Sequence, residues 1–155
     1  MARLQPADQA FIDSPPQNTT GVFAISRPAA EVWQAITADD ALHWCRVLSG
    51  VKWTSPRPFG VGTTREVKVL GGMLKAKEYF FAWEEGRRKS FYVTEANLPL
   101  FRRLAEDYLL EPTGDSSCRF TWRIAYEPSL LGKGPANGVL LGSLMRDTRK
   151  FFGAT

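Results

Sequence analysis

The stretch Ser117–Glu127 constrains the fold of this chain more than any other. Cys118, Phe120, Trp122, Ile124 and Tyr126 occupy every second position, and Arg119, Thr121, Arg123 and Glu127 take the alternate positions. A period of two describes a strand with one apolar face and one polar face. That apolar face must be covered, and the segment able to cover it follows at once. After the Gly- and Pro-rich loop LLGKGPANG, Val139, Leu140, Leu141, Leu144, Met145, Phe151 and Phe152 form a broad apolar stripe at helical spacing. Arg146, Asp147, Arg149 and Lys150 form its charged side. The chain is therefore expected to lay one face of a sheet against a single C-terminal helix.

The upstream residues supply the rest of that sheet. Residues 1–17 are polar, carry Pro6, Pro15 and Pro16, and read as an irregular arm that touches the body through Phe11 and Ile12. Residues 18–155 read as one domain. Thr20–Ser26 has the content of a strand. Pro28 opens a helix, where its missing N–H costs nothing, and Ala29, Val32, Trp33 and Ile36 share one face of it. Asp39 or Asp40 is expected to cap a second short helix that buries Leu42, Trp44, Cys45 and Leu48 and closes at Gly50. Further strands are expected at Val51–Thr54, Thr63–Leu70, Leu74–Trp83, Lys89–Glu95 and Leu104–Glu111. Gly71-Gly72 and the EEGRR turn read as hairpins, and Asn97-Leu98-Pro99 and Pro112–Ser116 as longer links. The class is α+β: a curved antiparallel sheet of about seven strands, a long C-terminal helix, and two short helices after the first strand.

Charge and residue counts exclude several functions. The net charge of +4 favours anionic partners in general. The basic clusters are short, however: Arg87, Arg88 and Lys89; Arg102 and Arg103; Arg146, Arg149 and Lys150. None lies in a nucleic-acid motif, so they read as solvated surface and no nucleic-acid partner is expected. Cys45 and Cys118 are too few and too far apart for a disulfide framework or a Cys-based zinc site. His43 is the one histidine, stands beside Trp44, and has no evident nucleophile or second ligand near it. Gly60, Gly62, Gly71 and Gly72 match no phosphate-binding pattern. No metal or cofactor is expected. The N-terminus lacks an apolar h-region, and no apolar run nears the ~20 residues of a membrane span, so the chain reads as soluble and cytoplasmic.

Three charged residues fall on faces that alternation turns inward. Arg65 shares a face with Val67 and Val69, Glu78 with Phe80, and Glu106 with Tyr108 and Leu110. An inward Arg beside an inward Glu satisfies both as an ion pair, orients a ligand's polar end, or does acid–base work. The choice rests on strand parity, and Tyr79, Phe81 and Trp83 make the opposite face of the fourth strand equally plausible. The ten Phe, four Tyr and five Trp exceed what a small core needs, so they either fill the core or line a pocket.

The segments FAISRPAAEVWQAIT, WTSPRPFGVGTTREV, EYFFAWEEGRRKSF and LPLFRRLAEDYLLEPTG, continued by RFTWRIAYEP, resemble the START-like (SRPBCC) superfamily. Within it they resemble the polyketide cyclase/dehydrase and lipid-transport branch. The resemblance spans about residues 20–152, and its most specific parts are Pro28 to Trp33 and Gly60 to Thr63. It implies a helix-grip fold with a cavity between sheet and helix. It further implies that the protein binds or carries a hydrophobic small molecule, a lipid, polyketide or similar. The residues expected to line that site are Trp33, Trp44, Arg65, Glu78, Phe80, Phe91, Tyr108, Phe120, Trp122, Leu141 and Met145. The alternative is an aromatase/cyclase-type or hydrolase-type enzyme using an inward carboxylate or Tyr108. No catalytic residue carries over by position, because the superfamily has no universal catalytic motif. A third reading, docking of a protein partner, has no sequence feature in its favour.

Overall fold

Strands β2 (Gln17–Ile25), β3 (Leu48–Trp53), β4 (Thr64–Val69), β5 (Leu74–Glu84), β6 (Arg88–Ala96), β7 (Phe101–Gly114) and β8 (Ser117–Pro128) form one antiparallel sheet in the computed structural model, which describes residues 1–155. The order across the sheet is β2-β8-β7-β6-β5-β4-β3. Every neighbour after β3 is thus the next strand in sequence, and β2 closes on the last strand. The sheet curls around α3 (Ala136–Phe152). This is the helix-grip α+β arrangement expected from the sequence.

The alternation in β8 is realised as read. Phe120, Trp122 and Ile124 are buried on the concave face, and Phe120 pairs across from Phe23 of β2 and Leu110 of β7. One close approach locks the helix onto this face. A Cβ at Gly21 of β2 would lie 2.5 Å from the Phe23 ring and 2.7 Å from the Met145 sulfur, so only glycine fits there. The helix ends at Gly153, whose left-handed φ of 59° lets its N–H return to the Arg149 and Lys150 carbonyls.

Helix α2 (Ala29–Thr37) follows β2, with Pro28 as its cap and Val32, Trp33 and Ile36 buried. The second short helix expected at residues 39–48 is replaced by consecutive turns. Their bonds run from Ala41 to Ala38, His43 to Asp40 and Cys45 to Leu42, and Leu42 takes a φ of 62°. A left-handed residue in mid-segment ends helical propagation, which capping and apolar spacing alone do not reveal. The N-terminal arm holds two short elements: β1 (Ala2–Arg3), which pairs with β6, and α1 (Gln9–Asp13), capped by Asp8. Phe11 and Ile12 of α1 pack on the convex face against Ala105 and Ala125. Beside them Asp107 is buried in a convex-face network, accepting from Arg88, Ser90 and Arg123.

Two bulges set the inward side chains of the central strands. Phe81 is an extra residue in β5 opposite β6, so Phe80 and Trp83 both face the concave interior. Thr94 is the extra residue in β6, so Ala96 turns inward three positions after Val93.

Candidate functional site

An apolar cavity of about 90 Å3 lies between the concave face and the N-terminal half of α3. Eighteen of its 21 lining residues are hydrophobic. The sheet contributes Val67, Val69, Leu74, Ala76, Val93 and Ala96, and α3 contributes Leu140, Leu141 and Leu144. Leu42, Val47 and Leu48 close one side, Leu98, Phe101 and Leu104 another, and Leu4 of the arm a third. The lining residues at the ends of strands and in their links sit at one end of the sheet. Charge enters only at the inner end, through Arg65, Glu78 and Glu106.

That inner end is a compact polar group built by strand register. Arg65 on β4 stands directly opposite Glu78 on β5, and its Nε donates to Glu78 Oε1 at 2.6 Å. Glu106 on β7 accepts at Oε1 from Trp122 Nε1 at 2.7 Å and from the Tyr108 hydroxyl at 3.2 Å. Trp122 reaches it because it pairs across from Tyr108 on the neighbouring strand. The guanidinium of Arg65 lies 5.0 Å from the Trp53 and Phe91 rings and 5.3 Å from Phe80. Lys89 lies behind this layer, its Nζ 3.8 Å from the centre of the Tyr108 ring. Neither Lys89 Nζ nor Arg65 Nη1 has a hydrogen-bond partner, although both are fully buried.

Burial and neighbouring charges determine the protonation of these groups. Burial, reinforced by the Glu78 carboxylate, pushes Glu106 up to about 7, against the pull of Trp122, Arg65 and Tyr108. Burial opposes the charge on Arg65, but the carboxylate of Glu78 more than restores it and the guanidinium stays charged. Burial and the nearby Arg65 hold Lys89 well below the usual lysine range, with Glu78 and Glu106 acting the other way. Burial also raises the Tyr108 phenol, and Glu106 adds to it. The patch therefore combines a fixed cation with a carboxyl group whose hold on its proton is strengthened by burial. Such a patch can accept and donate hydrogen bonds to one ligand group, or move a proton to or from it.

Of the residues expected at the site, Arg65, Glu78, Tyr108, Trp122 and Leu141 line the cavity. Phe80 and Phe91 stand behind Arg65. Phe120 is buried between Phe23 and Tyr108, and Met145 packs against Gly21. Trp44 stacks on Phe151 at 4.2 Å and donates to Thr148, at the base of α3. Trp33 lies beside the β5–β6 turn, at the opposite end of the fold from the β4–β5 and β6–β7 links. There it packs edge-on to Trp83, donates to Glu85, and joins Trp53, Phe59 and Phe80 in an aromatic plug. Most of the aromatics thus close one end of the interior, and the open space is walled mainly by Leu, Val and Ala, with Phe101, Tyr108 and Trp122 as its aromatic members.

Lys89 is the residue that sequence reasoning misplaced. Read with Arg87 and Arg88 as solvated surface, it is fully buried, because it shares the inward face of β6 with Phe91 and Val93. Its spacing from those two residues was the available signal. Arg87 and Arg146 of the expected surface clusters are exposed. Both cysteines are free and buried, and burial pushes the Cys45 thiol up to about 12 and raises Cys118 as well, so neither is a poised nucleophile. His43 is exposed and packs edge-on to Trp44 and Phe151. No helix is long and apolar enough to cross a membrane.

The family model described as "Polyketide cyclase / dehydrase and lipid transport" matches residues 16–152. Uncharacterized proteins of Mycobacterium tuberculosis and Mycobacterium bovis are 34% identical over 115 residues, covering 70% of this chain and 68% of theirs. Among solved structures, a START superfamily protein from Mycobacterium smegmatis superposes with a TM-score of 0.70 at 14% identity, over 86% of this chain and 92% of that one. Major latex-like protein 151 from Panax ginseng superposes with a TM-score of 0.64 at 19% identity, over 88% and 97%. These two structures share the fold. The family match reaches from the start of the sheet to the end of α3, and on it the chain belongs to the polyketide cyclase/dehydrase and lipid-transport family.

Proposed function

We propose that this protein binds or carries a hydrophobic small molecule in the cavity between its sheet and α3. The observation that carries this reading is the composition of the cavity wall: aliphatic along its length, with one polar group at the inner end. Such a lining removes an apolar body from water and orients it by a single head. The head suited to Arg65, Glu78 and Glu106 is one that both donates and accepts, such as a hydroxyl or a protonated acid. A cavity of about 90 Å3 is below the roughly 300–1,000 Å3 of drug-sized sites. The occupant is therefore small, or it enters by displacing Leu140 and Leu141.

The test is native mass spectrometry of the full chain purified from cell extract, followed by extraction and identification of any bound compound. An apolar compound is expected in the wild type and absent from Ala76→Trp, which fills the cavity from the sheet side. A folded protein whose bound fraction is unchanged by Ala76→Trp would place the ligand elsewhere and overturn the reading.

A catalytic reading has one observation in its favour: Glu106 stands in the cavity wall, where burial and the Glu78 carboxylate raise its affinity for a proton. In that reading Glu106 acts as general acid or base on a bound polyketide or ester, with Arg65 stabilising developing negative charge. Turnover of a bound compound by the wild type, lost in Glu106→Gln with binding retained, would favour it. Binding without turnover in either protein would favour the carrier.

A further inference from the structure

We propose that the open end of the cavity is a docking surface for a bilayer containing anionic lipid. Nine large hydrophobic side chains of this chain are exposed, and seven of them gather at that end. Hydrogen bonds between the links show the gathering. The β8–α3 loop folds onto the β6–β7 link, with Ser129 N–H donating to the Leu100 carbonyl, and this sets Leu130 and Leu131 beside Leu98. Leu130 and Leu131 are 79% and 74% exposed, and Leu98 is itself part of the cavity wall. Asn97 in the same link donates to the Met73 carbonyl and accepts from Lys75 N–H, which brings in the β4–β5 connection with exposed Met73 and Leu70. Val139, exposed on the first turn of α3, adjoins the cavity-lining Leu140, and Met1 lies by Asn97 through the pairing of β1 with β6. The other two exposed residues, Val22 and Val61, lie outside this set.

A soluble surface rarely concentrates its exposed apolar side chains in this way. The side chains stand on the N-terminal residue, three separate links and the first turn of α3, and do not form one flat face. Separate side chains suit a fluid interface, into which each inserts independently. The charge beside them selects the lipid. Lys52, Lys68, Lys75 and Lys77 border the groove that runs from Met1 and Asn97 over the adjoining convex face, accompanied there by Glu66. Lys77 is engaged by Glu95 at 3.3 Å and Lys52 stands opposite Glu66, which leaves Lys68 and Lys75, paired across from each other beside the rim, to meet headgroups. Lysines near an anionic leaflet add electrostatic attraction that falls off within a Debye length. Docked this way, the protein would present the cavity directly to the acyl region, and an apolar molecule would pass between the two without crossing water.

The experiment is flotation of the full chain with vesicles of pure phosphatidylcholine, or of phosphatidylcholine with about 30 mol% phosphatidylglycerol, at about 0.15 M salt. Flotation with the anionic vesicles is expected, weaker with the neutral ones and weakened by added salt. Leu130→Ser with Leu131→Ser, both on an exposed loop, is expected to reduce the bound fraction at least about tenfold with an unchanged melting temperature. Lys68→Glu with Lys75→Glu is expected to remove the preference for anionic lipid. The readout is the position of the protein itself, so an empty cavity does not affect it. No flotation with either vesicle, or flotation unaffected by the Leu substitutions, would overturn the proposal. A dimer by light scattering that becomes monomeric in the Leu130→Ser, Leu131→Ser variant would also overturn it, by showing that a second copy covers the rim.

Discussion

Lys89 is buried with no hydrogen-bond partner for its amine, and it faces Arg65, Glu78, Glu106 and Tyr108 from the strands around it. An unpaired buried polar group costs roughly 1–3 kcal/mol, and methionine has nearly the same shape without the amine. Lys89→Met is therefore expected to raise the melting temperature by several degrees. Because Lys89 is held below its ordinary 10.5, the unfolded chain binds a proton that the folded one resists, and stability is lost as pH falls below that value. The advantage of Lys89→Met should therefore be larger at pH 6 than at pH 10, by thermal melts across that range. Glu106 runs the other way. The folded protein keeps its proton to about 7, whereas the unfolded chain releases it near 4.5. Its contribution is complete below about 4.5 and is lost as pH rises through about 7. Glutamine imitates the protonated form, so Glu106→Gln should gain on the wild type between pH 5 and 8, by roughly 1–3 kcal/mol. A gap that stays constant with pH would show that Glu106 is ionised throughout.

Strand alternation in β8 was legible because one face is buried and the other is not, whereas the parity of Arg65, Glu78 and Glu106, all three buried, was left open by the apolar residues on both faces of the fourth strand. Alternation also held for Lys89 with Phe91 and Val93, where a neighbouring pair of arginines suggested surface instead. The bulges at Phe81 and Thr94 were not legible, since an extra residue leaves no mark on composition or spacing. They bring Trp83 into the aromatic plug and Ala96 into the cavity wall. The turns at residues 39–47 escaped for a related reason: a single left-handed residue decides them. The contact between β2 and α3 allows a direct test. Gly21→Ala places a methyl against Phe23 and Met145, and overpacking of this kind costs about 1–3 kcal/mol. Met145→Ala in the same protein removes one of the two opposing groups. The double variant should therefore be more stable than the sum of the single losses predicts, by denaturant titration.

The interior is asymmetric along the sheet, and this governs how a ligand would come and go. One end is sealed by stacked rings of Trp53, Phe59 and Phe80 with Trp33 and Trp83 edge-on, and by the Trp53 Nε1 bond to the Ala38 carbonyl. The other end is bounded by loops whose apolar side chains face outward. The allocation of these aromatics was not legible: on strands, a ring that plugs an end, such as Trp53 or Phe80, and a ring that lines a cavity share the same period of two, while Trp33 on α2 and Phe59 in its loop carry no such period. Only the three-dimensional order of strands separates them. Exchange through the loop end predicts a kinetic difference between substitutions at the two ends. With the apolar probe N-phenyl-1-naphthylamine bound, Leu140→Trp at the mouth should slow its stopped-flow displacement several-fold. Phe59→Ala should open the plug slightly and leave that rate unchanged, provided the protein remains folded by circular dichroism. Faster displacement in Phe59→Ala, with no effect of Leu140→Trp, would place the route through the aromatic end and reverse the polarity of the cavity.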